Sequence, residues 1–307
     1  MYLYIIYQSA EESIKVISNM KKIFLAFFMV TFMSFSASSQ SMEVGAQIGA
    51  MVYTGDLDPP TFSQNFKNTR TALGLHFKYK LNPLFNIRFN FTKGSVTGKD
   101  SLSDKSWQLE RNLSFETGIT EFAVMIENNM LGFSMDKNDE KTFSPYAFAG
   151  IAVYRFNPRT LYQGVYYDLQ PLGTEGQGLP GYEEKYSLTQ IAVPLGGGLK
   201  IRLSDKLSMG LEVNSRFLFT DYLDDLSGTY VAYEELMAGN GEIAARLANR
   251  EHEFTGIDVP YTNETGSIRG KAAVNDYYMT AMFSLSYHFT GTGMRFGRSR
   301  GMGCPTF

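Results

Sequence analysis

Residues 207–219 read Leu-Ser-Met-Gly-Leu-Glu-Val-Asn-Ser-Arg-Phe-Leu-Phe, and this stretch decides the fold class. Apolar side chains occupy almost every odd-numbered position, whereas polar side chains and glycine occupy most of the even-numbered ones. A period of two residues is the pattern of a β-strand and not of a helix. The stretch is also longer than a usual strand of about five or six residues. It is therefore typical of a barrel strand with lipid on one side and a polar interior on the other.

The same pattern recurs in eight segments of the chain. They lie at about residues 42–53, 71–80, 85–93, 113–128, 145–156, 188–203, 207–219 and 276–289. The connectors alternate between long and short, as in barrels with long extracellular loops and short periplasmic turns. The sequence therefore predicts an all-β fold, an eight-stranded antiparallel transmembrane β-barrel with long extracellular loops, over residues 40–289.

The fourth segment departs from this simple pattern. Phe115 and Ile119 share one parity, but Phe122 and Val124 take the other, so the phase slips near Glu121. Such a slip predicts a β-bulge in this strand, unless the strand is assigned wrongly. The connector that follows, residues 129–143, is polar and is expected to be a loose turn.

The amino-terminal region has the order of a secretory signal peptide. Met20-Lys21-Lys22 precedes an apolar run at residues 23–35, and small residues follow it up to Ser39. This order predicts cleavage after Ser39, and the apolar run is too short to span a bilayer as a helix. We expect residues 1–19 to be an over-extended gene start, the alternative being a genuine extra segment. Residues 1–39 together are then absent from the mature protein.

The composition excludes several classes of protein. With 28 basic and 31 acidic residues the chain has no basic footprint for nucleic acid. The single cysteine, Cys304, excludes an internal disulfide, and no cysteine follows the signal run, so the chain is not expected to be a lipoprotein. An aromatic content of 14% suits the aromatic girdles of a barrel in the outer membrane.

The barrel interior is expected to be filled. Eight strands enclose a space that is just wide enough for side chains or for one small ligand, so a diffusion pore is not expected. Buried charges need compensation, and the inward parity of four charged side chains predicts that they pair with one another inside the barrel. These are Glu43, Arg88, Glu212 and Arg216.

The longest connector, residues 220–275, carries two features. Residues 234–250 have helical composition and predict a short surface helix. Asp221, Asp224 and Asp225, with acidic neighbours at the helix start, offer oxygen ligands of the kind that calcium prefers. Because their spacing lacks the pattern of an EF-hand loop, a solvated acidic strand exit is the favoured interpretation. No cofactor is expected.

The histidines of the predicted strands are the candidates for an enzymatic role. His76 and His288 are candidate general bases, and Ser284 and Ser286 share the inward parity of His288. No carboxylate that would orient a histidine is evident, and a catalytic triad is defined by geometry rather than by sequence. We therefore expect polar interior residues and no enzymatic activity.

Four stretches resemble a known family. They are Gly-Val-Tyr-Tyr-Asp-Leu-Gln-Pro-Leu-Gly-Thr-Glu-Gly-Gln-Gly at 164–178, Thr-Asp-Tyr-Leu-Asp-Asp at 220–225, Arg-Gly-Lys at 269–271 and Asn-Asp-Tyr-Tyr at 275–278. They are similar to the PorG-like outer-membrane β-barrel family of the type IX secretion system of Bacteroidetes, over roughly residues 42–307. The resemblance implies a non-enzymatic component of the secretion and gliding-motility machinery. It also implies association with a periplasmic ring of proteins resembling PorK and PorN.

If the protein docks such a ring, the contacts come from the short-turn side and from the basic tail at residues 290–307. The candidate partner-binding residues are Asn82, Pro83, Asp205, Lys206, Arg295, Arg298 and Arg300. The tail is otherwise a free terminus. Two alternatives stay open: a stand-alone surface barrel that binds ligands or cells through its extracellular loops, and a lipid-modifying enzyme. In each case outer-membrane lipids surround the barrel.

Overall fold

The computed structural model describes residues 42–57, 66–135, 142–256, 265–271 and 275–289. Its strands are β1 (Met42–Thr54), β2 (Arg70–Lys80), β3 (Phe85–Lys99), β4 (Ser114–Asn129), β5 (Phe143–Tyr162), β6 (Val165–Asp168), β7 (Thr189–Arg202), β8 (Leu207–Leu218) and β9 (Tyr277–Phe289). Its α-helices are α1 (Ser106–Arg111), α2 (Tyr233–Gly239), α3 (Glu242–Ala248) and α4 (Glu251–Thr255). The predicted signal segment and the basic tail lie outside the described residues.

The sheet closes on itself, which confirms the predicted eight-stranded antiparallel barrel. β1 pairs with β2 on one side and with β9 on the other, where the register runs from Met42 opposite Phe289 to Thr54 opposite Tyr277. The remaining neighbours pair in the order β2-β3-β4-β5-β7-β8-β9. β6 is a short strand that forms a hairpin with the far end of β5 and is not part of the wall. Closure leaves no strand edge in the wall, as a membrane requires.

The outer face of the wall is apolar, as the alternation predicts. Leu75, Ile151 and Leu211 are each about 60% exposed, at 61%, 64% and 62%. In a water-soluble protein such a continuous apolar surface would be an interaction or aggregation site, whereas around a closed barrel it is the lipid-facing belt. The protein is therefore an outer-membrane β-barrel. We call the end with the short turns periplasmic and the end with the long loops extracellular.

The interior changes character along the barrel axis. At the periplasmic end the inward side chains are polar or charged, whereas near the extracellular end Met51, Phe115, Tyr154 and Phe156 form one buried apolar cluster. β4 pairs with β3 without interruption from Asn128 to Ser114. The predicted bulge is therefore wrong: Phe115 and Ile119 lie inside the barrel because that part of the interior is apolar.

Three consecutive glycines at 196–198 lie in β7, and their missing side chains let neighbouring groups approach closely. A Cβ on Gly198 would lie 2.2 Å from the carbonyl oxygen of Leu211 and 2.9 Å from the Tyr146 ring. Any larger residue would separate β7 from β8 or displace the tyrosine.

The extracellular loops are more structured than the sequence predicts. The single predicted helix at 234–250 is two helices, α2 and α3, because Gly241 takes a φ of 93° between them. Helix α1 lies in the connector between β3 and β4, for which the strand pattern predicts no helix. No helix in the described ranges is long and apolar enough to cross a membrane.

Candidate functional site

A network of buried charges fills the periplasmic half of the barrel. The guanidinium of Arg88 donates to both carboxylate oxygens of Glu212, over 2.7 and 2.8 Å. The Tyr146 hydroxyl and the Gln47 amide donate to the same carboxylate over 2.9 and 3.0 Å. The pairing of Arg88 with Glu212 confirms the sequence prediction, and the fork geometry is the one in which arginine binds carboxylates best.

Two lysines and two glutamates continue this network. Lys78 Nζ lies 3.1 Å from Glu43 and 2.9 Å from Glu127, and Lys200 Nζ lies 2.7 Å from Glu127. Lys78 and Lys200 stand in β2 and β7 and reach across the interior. The sequence analysis missed Glu127 and Lys200 as partners, although their inward parity was available as a signal.

A second ion pair closes the middle of the barrel. Arg216 donates to both oxygens of Glu121 over 3.0 and 2.9 Å, and the Tyr278 hydroxyl donates to Glu121 over 2.6 Å. Arg216 and Glu43 are therefore paired, but not with the residues that the sequence analysis grouped with them. All of these side chains are buried, so each charge depends on its partner.

The second periplasmic connector, between β4 and β5, forms a floor under the barrel. Phe133 and Met135 are only 5% and 8% exposed, and Lys80 Nζ donates to the Phe133 carbonyl over 2.9 Å. The cavity between this floor and the charge network measures about 10 Å³, room for about one water molecule. The described part of the connector, residues 130–135, is thus packed rather than loose, and the polar residues 136–141 lie outside the described residues.

The predicted docking turns lie on the periplasmic side. Asn82 is exposed, and its Oδ1 accepts the backbone N–H groups of Leu84 and Phe85 over 2.8 and 2.9 Å. The Pro83 carbonyl accepts the N–H of Phe133 over 2.9 Å, which ties this turn to the floor. Asp205 and Lys206 lie in the turn between β7 and β8. The predicted tail residues Arg295, Arg298 and Arg300 lie outside the described residues.

An exposed apolar ridge surrounds the Asn82-Pro83 turn. Its members, which we call the periplasmic ridge, are large aliphatic side chains from two neighbouring turns, each between 44% and 57% exposed: Leu81, Leu84, Met130 and Leu131. Clusters of exposed apolar side chains rimmed by polar residues mark sites of protein interaction. Sequence reasoning selected the polar turn residues and missed the apolar ones beside them.

The histidines are interior residues, and the structure corrects one statement about them. A carboxylate does lie beside His76: its Nε2 is 3.3 Å from Glu43 and 3.0 Å from the Ser286 hydroxyl. A catalytic histidine binds the nucleophile and the carboxylate through different ring nitrogens, whereas here one nitrogen serves both. His288 Nε2 lies 2.7 Å from Ser208. Both histidines are almost fully buried inside the barrel, and the His288 ring lies 5.9 Å from the Phe133 ring of the floor.

A folded cap closes the extracellular end, and Arg269 is at its centre. Its guanidinium donates to Glu175 over 2.8 Å, to the Asp225 carbonyl over 2.8 Å and to the Ala248 carbonyl over 3.1 Å. Glu175 also accepts the backbone N–H groups of Ser227 and Gly228 over 3.1 and 3.0 Å. The arginine thus joins three loop segments that are far apart in sequence.

The acidic residues after β8 are buried, so their prediction as a solvated strand exit is wrong. The Tyr53 hydroxyl donates to Asp224 and, over 3.2 Å, to Asp276. Asp225 accepts hydrogen bonds from Thr174 and Tyr186, each over 2.6 Å. Within the described ranges, no group of three or more His, Cys, Asp or Glu side chains is arranged to hold a metal ion. These carboxyl groups organise the cap.

Burial shifts the protonation of these carboxyl groups upward. Burial raises the pKa of Asp225 to about 6, even though Arg269 acts in the opposite direction. Burial and the nearby charges of Asp56 and Glu175 raise the pKa of Asp221 to about 7. The pKa of Asp224 is also raised, mainly by burial. The closed cap therefore holds protons that an open cap releases.

This arrangement predicts that the cap weakens as the pH rises. Between the ordinary Asp value of 3.8 and about 6, the closed cap binds more protons at Asp225 than the open cap does, so the Asp225 contribution to its stability falls through that window. The Asp221 contribution falls in the same way up to about pH 7. A shift of two pKa units corresponds to at most about 2.7 kcal/mol. Hydrogen exchange at residues 223–226, corrected for intrinsic rates, should slow as the pH is lowered from 8 to 5.

Asp225→Asn is the matched control for this measurement. Asparagine tolerates the left-handed backbone at this position, where φ is 68°, and it removes the titrating group. The variant should lose part of the pH dependence. An unchanged pH dependence in Asp225→Asn would contradict the assignment to Asp225.

This chain is similar to one protein family and, distantly, to several solved structures. A family model described as "Domain of unknown function (DUF6089)" matches residues 21–268. No curated protein matches the sequence significantly. Among solved structures, Neisserial surface protein A (NspA) is 8% identical with a TM-score of 0.38, and the match covers 82% of this chain and 98% of that one.

Two further solved structures show the same level of similarity. Ail, the attachment invasion locus protein of Yersinia pestis, solved with the heparin analogue sucrose octasulfate, is 8% identical over 81% of this chain and 98% of that chain, with a TM-score of 0.37. The outer membrane enzyme PagL is 13% identical over 79% of this chain and 97% of that chain, with a TM-score of 0.33. Similarities this low carry no argument about what this chain binds or does.

Proposed function

We propose that this chain, which belongs to the DUF6089 family, is a non-enzymatic outer-membrane scaffold of the type IX secretion and gliding machinery. In this proposal it associates with a periplasmic ring of proteins resembling PorK and PorN. The observation that carries the proposal is that the interior is closed by the charge network and the floor, while an exposed apolar ridge remains on the periplasmic side. A filled barrel serves as an anchor rather than as a channel.

The stretches that resemble the PorG-like family support this proposal because they meet in one structure. Glu175 comes from the first stretch, Asp225 from the second and Arg269 from the third, and the three are linked through the Arg269 guanidinium. Asp276, from the fourth stretch, accepts the N–H of Leu223 over 3.0 Å. The resemblance therefore falls on residues that together build the cap.

The burial of both candidate general bases supports the non-enzymatic part of the proposal. His76 and His288 lie inside the wall, and the described residues leave a cavity of about 10 Å³ beside His288. A general base must come within hydrogen-bond reach of a proton on its substrate, and a lipid or peptide does not enter such a space.

The test is to make the periplasmic ridge charged. In the double variant Leu84→Glu, Met130→Glu we expect copurification of the ring proteins from native membranes to fall at least about ten-fold, the equivalent of about 1.4 kcal/mol, because carboxylates on an apolar contact must be desolvated. The matched control is Trp107→Glu, Phe254→Glu, which changes two residues of similar exposure (48% and 54%) on extracellular helices. Both variants should still show the gel shift between unboiled and boiled samples that a folded barrel gives.

The tail is tested in the same assay by deleting residues 290–307. Loss of the ring proteins on deletion, with the ridge variant unaffected, would assign docking to Arg295, Arg298 and Arg300. Full copurification and secretion in both variants would overturn the proposal.

A further inference from the structure

The outer wall of the barrel carries charge on one side only. Among the outward positions of the described wall strands, the charged residues all lie on the sector of β3, β4 and β5. Four are basic and one is acidic: Lys93, Lys99, Arg155, Arg159 and Glu116. The outward positions of β1, β2, β7, β8 and β9 are apolar or uncharged. If these basic residues reflected only a general preference for the membrane interface, they would lie around the whole circumference. Their restriction to one sector therefore indicates a local function.

The sector begins where the lipid-facing belt ends. In the strand register Lys93 lies opposite Thr120, and Thr120 lies opposite Arg155. The next outward row toward the periplasm consists of Phe91, Phe122 and Val153, which are 45%, 52% and 49% exposed. A hydroxyl group therefore lies between two cations, directly above an apolar surface and on its extracellular side.

The two cations of this row have no acidic partner within the described part of the chain. Arg159, by contrast, is engaged: its guanidinium donates to Glu116 over 3.2 Å and stacks over the Tyr166 ring at 4.7 Å. Neighbouring strands are about 4.8 Å apart, so the backbones at Lys93 and Arg155 are about 10 Å apart. Their long side chains can reach one headgroup between them.

We propose that Lys93, Thr120 and Arg155 form a binding site for the phosphate of an anionic glycolipid in the outer leaflet. The two cations bind the phosphate, the Thr120 hydroxyl donates to one of its oxygens, and the acyl chains lie along Phe91, Phe122 and Val153. A lipid fits this site better than a free phosphate ion because the apolar row is continuous with the charged one. The site would fix one side of the barrel against ordered lipid.

The experiment measures lipid binding to the folded barrel in detergent micelles. The probe is a diphosphorylated, acylated glucosamine disaccharide, compared with the same lipid after enzymatic dephosphorylation. A basic residue near an anionic surface contributes about 1 kcal/mol, or about five-fold in affinity, so Lys93→Gln, Arg155→Gln should weaken binding of the phosphorylated lipid about 20-fold and leave the dephosphorylated lipid unaffected.

The control removes the same charge from the same side of the protein. Lys67→Gln, Arg70→Gln changes two exposed cations near the extracellular start of β2, where neither residue faces the lipid belt, and should bind the lipid as the unchanged protein does. Equal losses in both double variants, or equal affinity for the two lipids, would overturn the proposal. Displacement of the lipid by millimolar inorganic phosphate would also overturn the proposal. The affinity would then come from the phosphate alone, without a contribution from acyl chains on the apolar row.

Discussion

Replacing Glu212 by glutamine is expected to destabilise the folded barrel by about 3–5 kcal/mol, the usual cost of removing one partner from a buried ion pair. Arg88 loses its bidentate partner, and its remaining ionic contact is Glu127 at 3.6 Å. The new amide group also directs N–H donors at the guanidinium, at Tyr146 or at Gln47. The free energy of unfolding should be measured by urea titration in lipid vesicles, with the gel shift of the folded barrel as the readout.

Two comparisons make this prediction specific. Glu242→Gln removes a carboxylate from an exposed helical ion pair with Arg246, at 57% and 27% side-chain exposure, and should cost less than about 1 kcal/mol. The double variant Arg88→Gln, Glu212→Gln should be more stable than the sum of the single variants predicts, because no uncompensated charge remains. A Glu212→Gln variant as stable as Glu242→Gln would show that Arg88 is stabilised by water or by other groups.

The lipid-facing half of the structure could be predicted from the sequence. Lipid contacts every outward side chain of the belt, so these side chains are apolar. Residues such as Leu75 and Leu211 can therefore be assigned to the outer face from the alternation alone, without knowing which residues lie beside them. The ends of the strands were predicted less accurately. β3 and β5 extend to Lys99 and Tyr162, because they continue above the belt, where apolar alternation is no longer required.

The interior could be predicted only in part. Alternation assumes that the inner face is polar throughout, and this holds for Arg88 and Glu212 at the periplasmic end. The assumption fails at Phe115 and Ile119, which point inward and pack under the cap. Their apolar character produces the phase slip expected of a β-bulge, although β4 pairs with β3 without interruption. Which charged side chains form ion pairs inside the barrel depends on which strands face each other across it. The alternation within each strand does not specify those strands.

The cap could not be derived from local sequence. Glu175 and Arg269 are 94 positions apart and become partners only through the fold of two long loops. The acidic run after β8 gives no sign that Asp224 and Asp225 are fully buried, because acidic residues in loops are usually exposed. The resemblance marked these stretches without indicating what they do.

Replacing Leu211 by arginine is expected to destabilise the inserted barrel by about 2–4 kcal/mol, which is the cost of a basic side chain at the bilayer midplane. Leu211 is 62% exposed at the middle of β8, and in the register it lies between Phe283 of β9 and Leu199 of β7. The guanidinium has no carboxylate partner on this face, since the charged sector of the wall is on β3 to β5.

The depth dependence of this effect provides the control. Phe219, just beyond the end of β8, is 66% exposed on the same face, but it lies near the extracellular interface, where a basic side chain costs only about 0–1 kcal/mol. The same vesicle titration should therefore separate Leu211→Arg from Phe219→Arg by about 2 kcal/mol or more. Equal losses in the two variants would mean that the belt is displaced along the barrel. A loss at Phe219 larger than that at Leu211 would place the bilayer midplane near the loops, which the position of the cationic row at Lys93 and Arg155 argues against.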